Sequence, residues 1–176
     1  MDNKKIVLTL ILGLIILTCI NKASYSQIGS SISFATDKVL GLNIFYTKNN
    51  DSFYLGYSHQ FNGQKNTVVN ERKETYGTTP IENGDFYSLV DLGYSRLFFK
   101  RLTVQPEVSF GSKKYFTSYS DRRFKDDGYS LVSSSETITG IGVNLGYKVN
   151  SFIEPFCGFH TIKKLNIGVR IHFDIY

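Results

Sequence analysis

The chain has no tryptophan, a single methionine and only three prolines in 176 residues. It has two cysteines, Cys19 and Cys157. Cys19 falls in an N-terminal segment that reads as removable, so the remaining chain cannot close an internal disulfide. Cys157 stands between Phe156 and Phe159 in sequence and reads as a small packing residue. Histidine is scarce: His59, His160 and His172 lie far apart, which gives no metal-ligand spacing and no expectation of a metal or other cofactor. Glycines alternate within extended runs and precede no helical pattern, so a phosphate-cradling loop is absent. A strong charge of one sign is also missing. Of 20 Lys+Arg and 15 Asp+Glu, Lys4, Lys5, Lys22 and Asp2 precede residue 27, leaving 17 against 14. A surplus of that size excludes nucleic acid as an expected partner.

Long hydrophobic runs are confined to residues 6–20, which follow Lys4-Lys5 and lead into Ala23-Ser24-Tyr25-Ser26. A positive start, a short apolar stretch and a small-residue exit are the layout of a secretory signal peptide over residues 1–26, too short for a comfortable membrane helix. An uncleaved anchor and a lipoprotein are the alternatives. Thr18 is bulkier than the residue expected before a lipidated cysteine such as Cys19.

What the sequence has in quantity is Phe (14), Tyr (12) and Gly (15), a mix that suits β-structure. Residues 163–176 show the pattern most clearly. Leu165, Ile167, Val169, Ile171, Phe173 and Ile175 occupy one parity, and Asn166, Gly168, Arg170, His172, Asp174 and Tyr176 the other. Unbroken alternation predicts a β-strand with one apolar and one polar face, long enough to cross a bilayer. Seven further strands are predicted over residues 28–36, 39–47, 52–61, 86–98, 102–112, 137–148 and 152–161. From the second strand onward, short turns at Asn49-Asn50, Lys100-Arg101 and Asn150-Ser151 alternate with long polar stretches at 63–85 and 113–136, the connection pattern of a transmembrane barrel.

Register follows from the turns, because opposed residues share a side. A turn at Asn49-Asn50 sets Tyr46 against Phe53 and Ile44 against Leu55. A turn at 99–101 sets Phe98 against Leu102, Tyr94 against Pro106, Leu92 against Val108 and Val90 against Phe110. A turn at 162–164 sets Phe159 against Ile167, Cys157 against Val169 and Ile153 against Phe173. A slip of one residue would spoil every match.

The polar parity also carries the mid-strand glycines Gly41, Gly56, Gly93, Gly142, Gly146 and Gly168. A barrel of about eight strands barely has room for its inner side chains, and inward glycines create that room. The same parity carries Asp91, Gln105, Glu107, Lys148, Glu154, Arg170 and His172, of both signs. A soluble barrel would point its grease inward. A membrane barrel points it outward, and this distribution favours the membrane. Glu107, Lys148, Glu154, Arg170 and His172 are expected to form an interior charge network, Glu154 facing His172 with Arg170 diagonal. Its reading as a gate or proton-linked pore is weighed against a structural plug of paired charges, and the plug is preferred.

The signal segment, the Asn49-Asn50 turn, the long loops and the final strand together resemble the small eight-stranded outer-membrane barrels of Gram-negative bacteria, typified by the OmpA membrane domain and OmpX. Tyr176 departs from that family's terminal pattern, since it lies on the polar parity while Phe173 takes the apolar side. The resemblance implies an all-β, eight-stranded antiparallel up-and-down transmembrane barrel over 27–176, placed in the cell outer membrane by the outer-membrane assembly machinery. Membrane lipids and lipopolysaccharide are the expected partners, and the chain is expected to be a monomer. The expected role is structural or surface-interacting through the loops 63–85 and 113–136, without catalysis. The aromatic and basic residues of 113–136 suggest anionic sugars or phosphates as surface ligands, although nearby acids nearly cancel their charge. The alternative is a lipid-modifying enzyme with a rim Ser/His/acid site drawn from His59, His160, Ser58 and Ser112.

Overall fold

The computed structural model describes residues 26–65, 67–124 and 127–175. All but the last residue of the expected signal peptide lies outside them. The strands are β1 (Ser26–Ala35), β2 (Val39–Lys48), β3 (Asp51–Gln60), β4 (Val68–Val69), β5 (Thr79–Phe98), β6 (Leu102–Ser120), β7 (Gly128–Tyr147), β8 (Ile153–His160) and β9 (Lys164–Ile175). Eight of them close a ring in the order β7-β6-β5-β3-β2-β1-β9-β8, with β8 returning to β7. All neighbours within the ring run antiparallel. The short β4 lies outside the ring and pairs parallel with β7.

The alternation read from the sequence decides which way the wall faces. Ile44, Phe53, Leu92, Val108, Leu145, Ile167 and Val169 are exposed on the outside. Asp91, Gln105, Glu107, Asn144, Glu154, Arg170 and His172 are buried inside. Grease out and charge in is the arrangement that hydrocarbon contact requires, and closure of the ring leaves the wall without a free sheet edge there. Aromatic rings fill the space that glycines leave: a Cβ on Gly93 would run into the Tyr54 ring, and one on Gly168 into the Phe156 ring.

Two hairpins keep the expected register, with Tyr46 opposite Phe53, Ile44 opposite Leu55, Leu92 opposite Val108 and Val90 opposite Phe110. The third does not. In β8–β9, Phe159 faces Leu165, Cys157 faces Ile167 and Ile153 faces Ile171, two residues from the expected pairing. The turn closes earlier because Lys164 takes a left-handed φ of 66° and the His160 ring accepts the amides of Ile162 and Lys163. A shift of two preserves parity, so each side chain keeps its face and changes only its partner.

The long stretches are largely strand. β5 and β6 remain paired up to Thr79 opposite Ser120, and β6 and β7 up to Ser120 opposite Gly128. β3 stops pairing at His59 opposite Ser88, and β8 at His160 opposite Gly142. The upper parts of β5, β6 and β7 therefore rise beyond the ring as a projecting sheet. Register shifts between Pro80 and Glu82 and between Tyr115 and Phe116 mark its bulges. Strands take up the expected loop 113–136 as far as Ser120 and again from Gly128, and the loop 63–85 from Thr79 onward.

Candidate functional site

Two buried clusters fill the lumen. In the first, Glu154 lies directly opposite Arg170, not His172, as the shifted hairpin requires. Arg170 donates to Glu154 at 2.6 Å, and His172 Nε2 lies 3.1 Å from the other carboxylate oxygen. The guanidinium also sits 5.0 Å from the Phe156 ring centre, and Phe45 meets His172 edge-on at 4.8 Å. A cavity of about 10 Å³ beside this cluster, lined by Tyr54, Gln105, Arg170 and His172 among others, has room for about one water.

The second cluster centres on Lys163, a residue that sequence reasoning left in a turn. Its ammonium reaches into the barrel to Glu107 and to Asp91, 3.1 Å from the latter. Tyr54 donates to Glu107 at 2.6 Å, and the Ser58 and Ser109 hydroxyls donate to Asp91. Above it Val39, Tyr87 and Leu89 form an apolar stopper. Of the five residues expected to form one network, Glu154, Arg170 and His172 come together and Glu107 joins the second cluster. Lys148 belongs to neither. It lies past the end of β7, half-exposed at the short-turn rim, and makes no ion pair with the other four.

The residues considered for catalysis separate. His160 is fully buried in the lumen, not at the rim, with Ser109 Oγ 3.0 Å from its Nε2. Its Nδ1 accepts the backbone amides of Ile162 and Lys163 at 3.1 and 3.3 Å, so the ring proton resides on Nε2 and points at the serine. A histidine that donates to a hydroxyl cannot take that hydroxyl's proton, and Asp91, Ser109 and His160 form a structural chain in which the hydroxyl hydrogen goes to the carboxylate. Position could have found this, since His160 shares the inward parity of Glu154 and Phe156. Ser58 is equally buried, on Asp91. His59 does face the rim, with Nδ1 2.8 Å from Ser88 Oγ and with Ser112 opposite Ser88. Among the described residues no carboxylate hydrogen-bonds to His59, so the row lacks the third member of a triad.

Outside the ring, the chain 61–78 is strapped onto the projecting sheet. Ser130 N donates to Thr67 O at 2.8 Å, where β4 meets the free edge of β7, and Lys65 N donates to Ser130 Oγ at 2.8 Å. The strap covers Phe86, Phe116 and Ser118, which sit on the sheet's outward parity yet are buried. At the tip, Asp121 accepts Gly77 N at 2.8 Å and Arg123 at 2.6 Å. Hydrogen bonding from Arg123, and then from the Gly77 amide, holds the Asp121 carboxyl well below the usual carboxylate range. Tyr76 packs on Phe124 and Tyr129, and Tyr119 stacks on Tyr129 at 5.4 Å. Rings expected to be displayed for a ligand are thus largely occupied with one another.

No family model and no curated protein matches the sequence. Among solved structures the chain is similar to the Yersinia pestis outer membrane protein Ail in a phospholipid bilayer nanodisc, with 14% identity, a TM-score of 0.50 and coverage of 86% of this chain and 100% of that one. Neisserial surface protein A gives 15% identity, a TM-score of 0.45 and coverage of 85% and 96%. The N-terminal β-barrel domain of Pseudomonas aeruginosa OprF gives 14%, 0.45, 85% and 97%. At these identities the likeness, carried by the first of the three, is one of fold: a small transmembrane β-barrel.

Proposed function

We propose that this chain is an integral outer-membrane barrel with a closed interior, whose role is structural or surface-interacting and is exercised by the projecting β5–β6–β7 sheet and its strap. The observation that carries this reading is a contrast within one wall. The lumen is blocked by two clusters of paired charge and an apolar stopper, while three of its strands continue past the ring into an ordered sheet. Buried charges in so narrow a barrel persist because they are paired, and they leave no continuous aqueous path. The outward apolar belt and the fold support membrane placement, and the short-turn side is then the periplasmic one. Lipids and lipopolysaccharide surround the wall in this reading, and catalysis has no part in it.

Reconstitution into planar bilayers tests the closed interior. The barrel should give no sustained ohmic conductance, and steady single-channel steps from the folded, heat-modifiable form would overturn it. The surface role is tested by deleting residues 119–129, which should abolish binding to whole cells or glycans if the tip carries the contact. Unchanged binding would remove that role.

A further inference from the structure

The charge surplus of the chain is not spread evenly. On the short-turn end, Lys48, Arg96, Lys100, Arg101 and Lys148 stand against Asp51 and, at the end of β9, Asp174. At the other end bases and acids are closer to equal in number, and two of them pair, Lys113 with Asp85 at 3.3 Å and Arg123 with Asp121 at 2.6 Å. The five short-turn cations form a continuous arc. Asp51 of β3 is the strand partner of both Lys48 and Arg96, and its carboxylate lies 3.8 Å from Arg96 Nη1, which leaves Lys100, Arg101 and Lys148 without an acid among the described residues. The turn after Arg96 carries Lys100 and Arg101, and Lys148 N donates to Arg101 O at 2.8 Å. The Arg101 guanidinium is held by the Tyr147 hydroxyl at 3.0 Å and lies 6.0 Å from that ring's centre.

The arc lies just beyond a girdle of outward aromatics. Phe53 meets Tyr94 at 5.3 Å and Phe152 meets Phe173 at 5.7 Å, with Tyr147 between these pairs around the rim. Such girdles mark the boundary between hydrocarbon and headgroups. Strands advance about 3.3 Å per residue, and the headgroup layer adds roughly 5–8 Å on each side of the hydrocarbon. Cations one or two residues past the girdle therefore sit at phosphate depth.

Phe99 and Lys100 have φ of 49° and 65°, and Arg101 N closes the turn on Phe98 O at 3.2 Å. Two consecutive left-handed residues suit Asn-Gly, and a bulky aromatic there is strained. Phe99 is 91% exposed, so nothing within the chain compensates. Residues held in such conformations cluster at binding and switch sites.

We infer that the short-turn arc is a binding surface for acidic phospholipid headgroups of the leaflet it faces, with Lys100, Arg101 and Lys148 closing on the lipid phosphate and Phe99 entering the headgroup boundary beside it. This rests on the membrane-barrel reading above. The lipid is preferred to a soluble anion and to a protein because the cations stand one or two residues beyond the girdle, at headgroup depth.

The test is the association of spin-labelled phosphatidylglycerol and phosphatidylcholine with the barrel in phosphatidylcholine nanodiscs. Phosphatidylglycerol should be favoured at least about fivefold at low salt, since one cation near a membrane surface is worth about that factor. The preference should shrink as salt screens it. The triple variant Lys100→Gln/Arg101→Gln/Lys148→Gln should lose it, while Lys38→Gln/Lys114→Gln/Arg122→Gln at the other end should keep it. Phe99→Gly should reduce the preference while raising resistance to unfolding. Inorganic phosphate at millimolar concentration should not compete. Equal association of the two lipids, equal loss in both triple variants, or full competition by phosphate would overturn the inference. A heat-modifiability gel run on every sample separates these outcomes from a failure of the barrel itself: a folded, bilayer-resident protein without lipid preference sinks the surface and leaves the barrel reading standing.

Discussion

Arg170 shows how a single side chain ties the wall to its filling. It is 4% exposed, hydrogen-bonded to Glu154 and stacked on Phe156. Breaking a buried pair on one side leaves an uncompensated charge, which typically costs about 3–5 kcal/mol. Glu154→Gln should therefore lower urea resistance in lipid by about that much, and Glu154→Leu with Arg170→Met should recover most of the loss, as replacing both partners with apolar groups of similar size often does. Gly93 gives a complementary case. Its position faces the Tyr54 ring, so Gly93→Ala should cost about 1–3 kcal/mol by overpacking, and the cost should vanish in a Tyr54→Ala background. The inward placement of Gly93, Glu107, Glu154 and Arg170 was legible in the alternation alone. Lys163 was not, because a residue in a turn has no parity to read, and a four-carbon stem reaches where its backbone does not point.

At the scale of elements, the existence and facing of the eight ring strands followed from period-two patterning, as did the hairpins at Asn49 and Phe99, whereas β4 was not expected. The β8–β9 pairing was missed by two residues because charged turn residues do not advertise which of them will turn left-handed. The projecting sheet was hidden for a related reason: bulges at Pro80/Glu82 and Tyr115/Phe116 interrupt the alternation, so strand continuation looks like polar loop. Its strap hangs on Asp121, and the sign of its pH dependence follows. A carboxyl held low in the folded state stabilises the tip above the ordinary carboxylate range, and that contribution disappears as pH falls below it toward the depressed folded value. The Gly77 amide resonance should accordingly titrate only below about pH 3.8. At neutral pH, Asp121→Asn should expose Arg72 and Lys73 to trypsin several-fold faster than in the unaltered protein. Equal cleavage would show that β4 alone holds the strap.

For the molecule as a whole, the fold was legible because one physical rule governs every strand: the side exposed to acyl chains is apolar, and the narrow inside takes glycine, aromatic rings and paired charge. Function was less legible because it depends on how the regions beyond the ring pack, and there the pattern is broken. The rule itself has a direct probe in Cys157, which lies on the outer wall opposite Ile167. A nitroxide attached there, with Cys19→Ser to keep labelling single, should in a bilayer be highly accessible to molecular oxygen and shielded from an aqueous nickel chelate. A label accessible to the nickel chelate, or shut off from both reagents, would mean that the oily face does not meet lipid, and the account would fail.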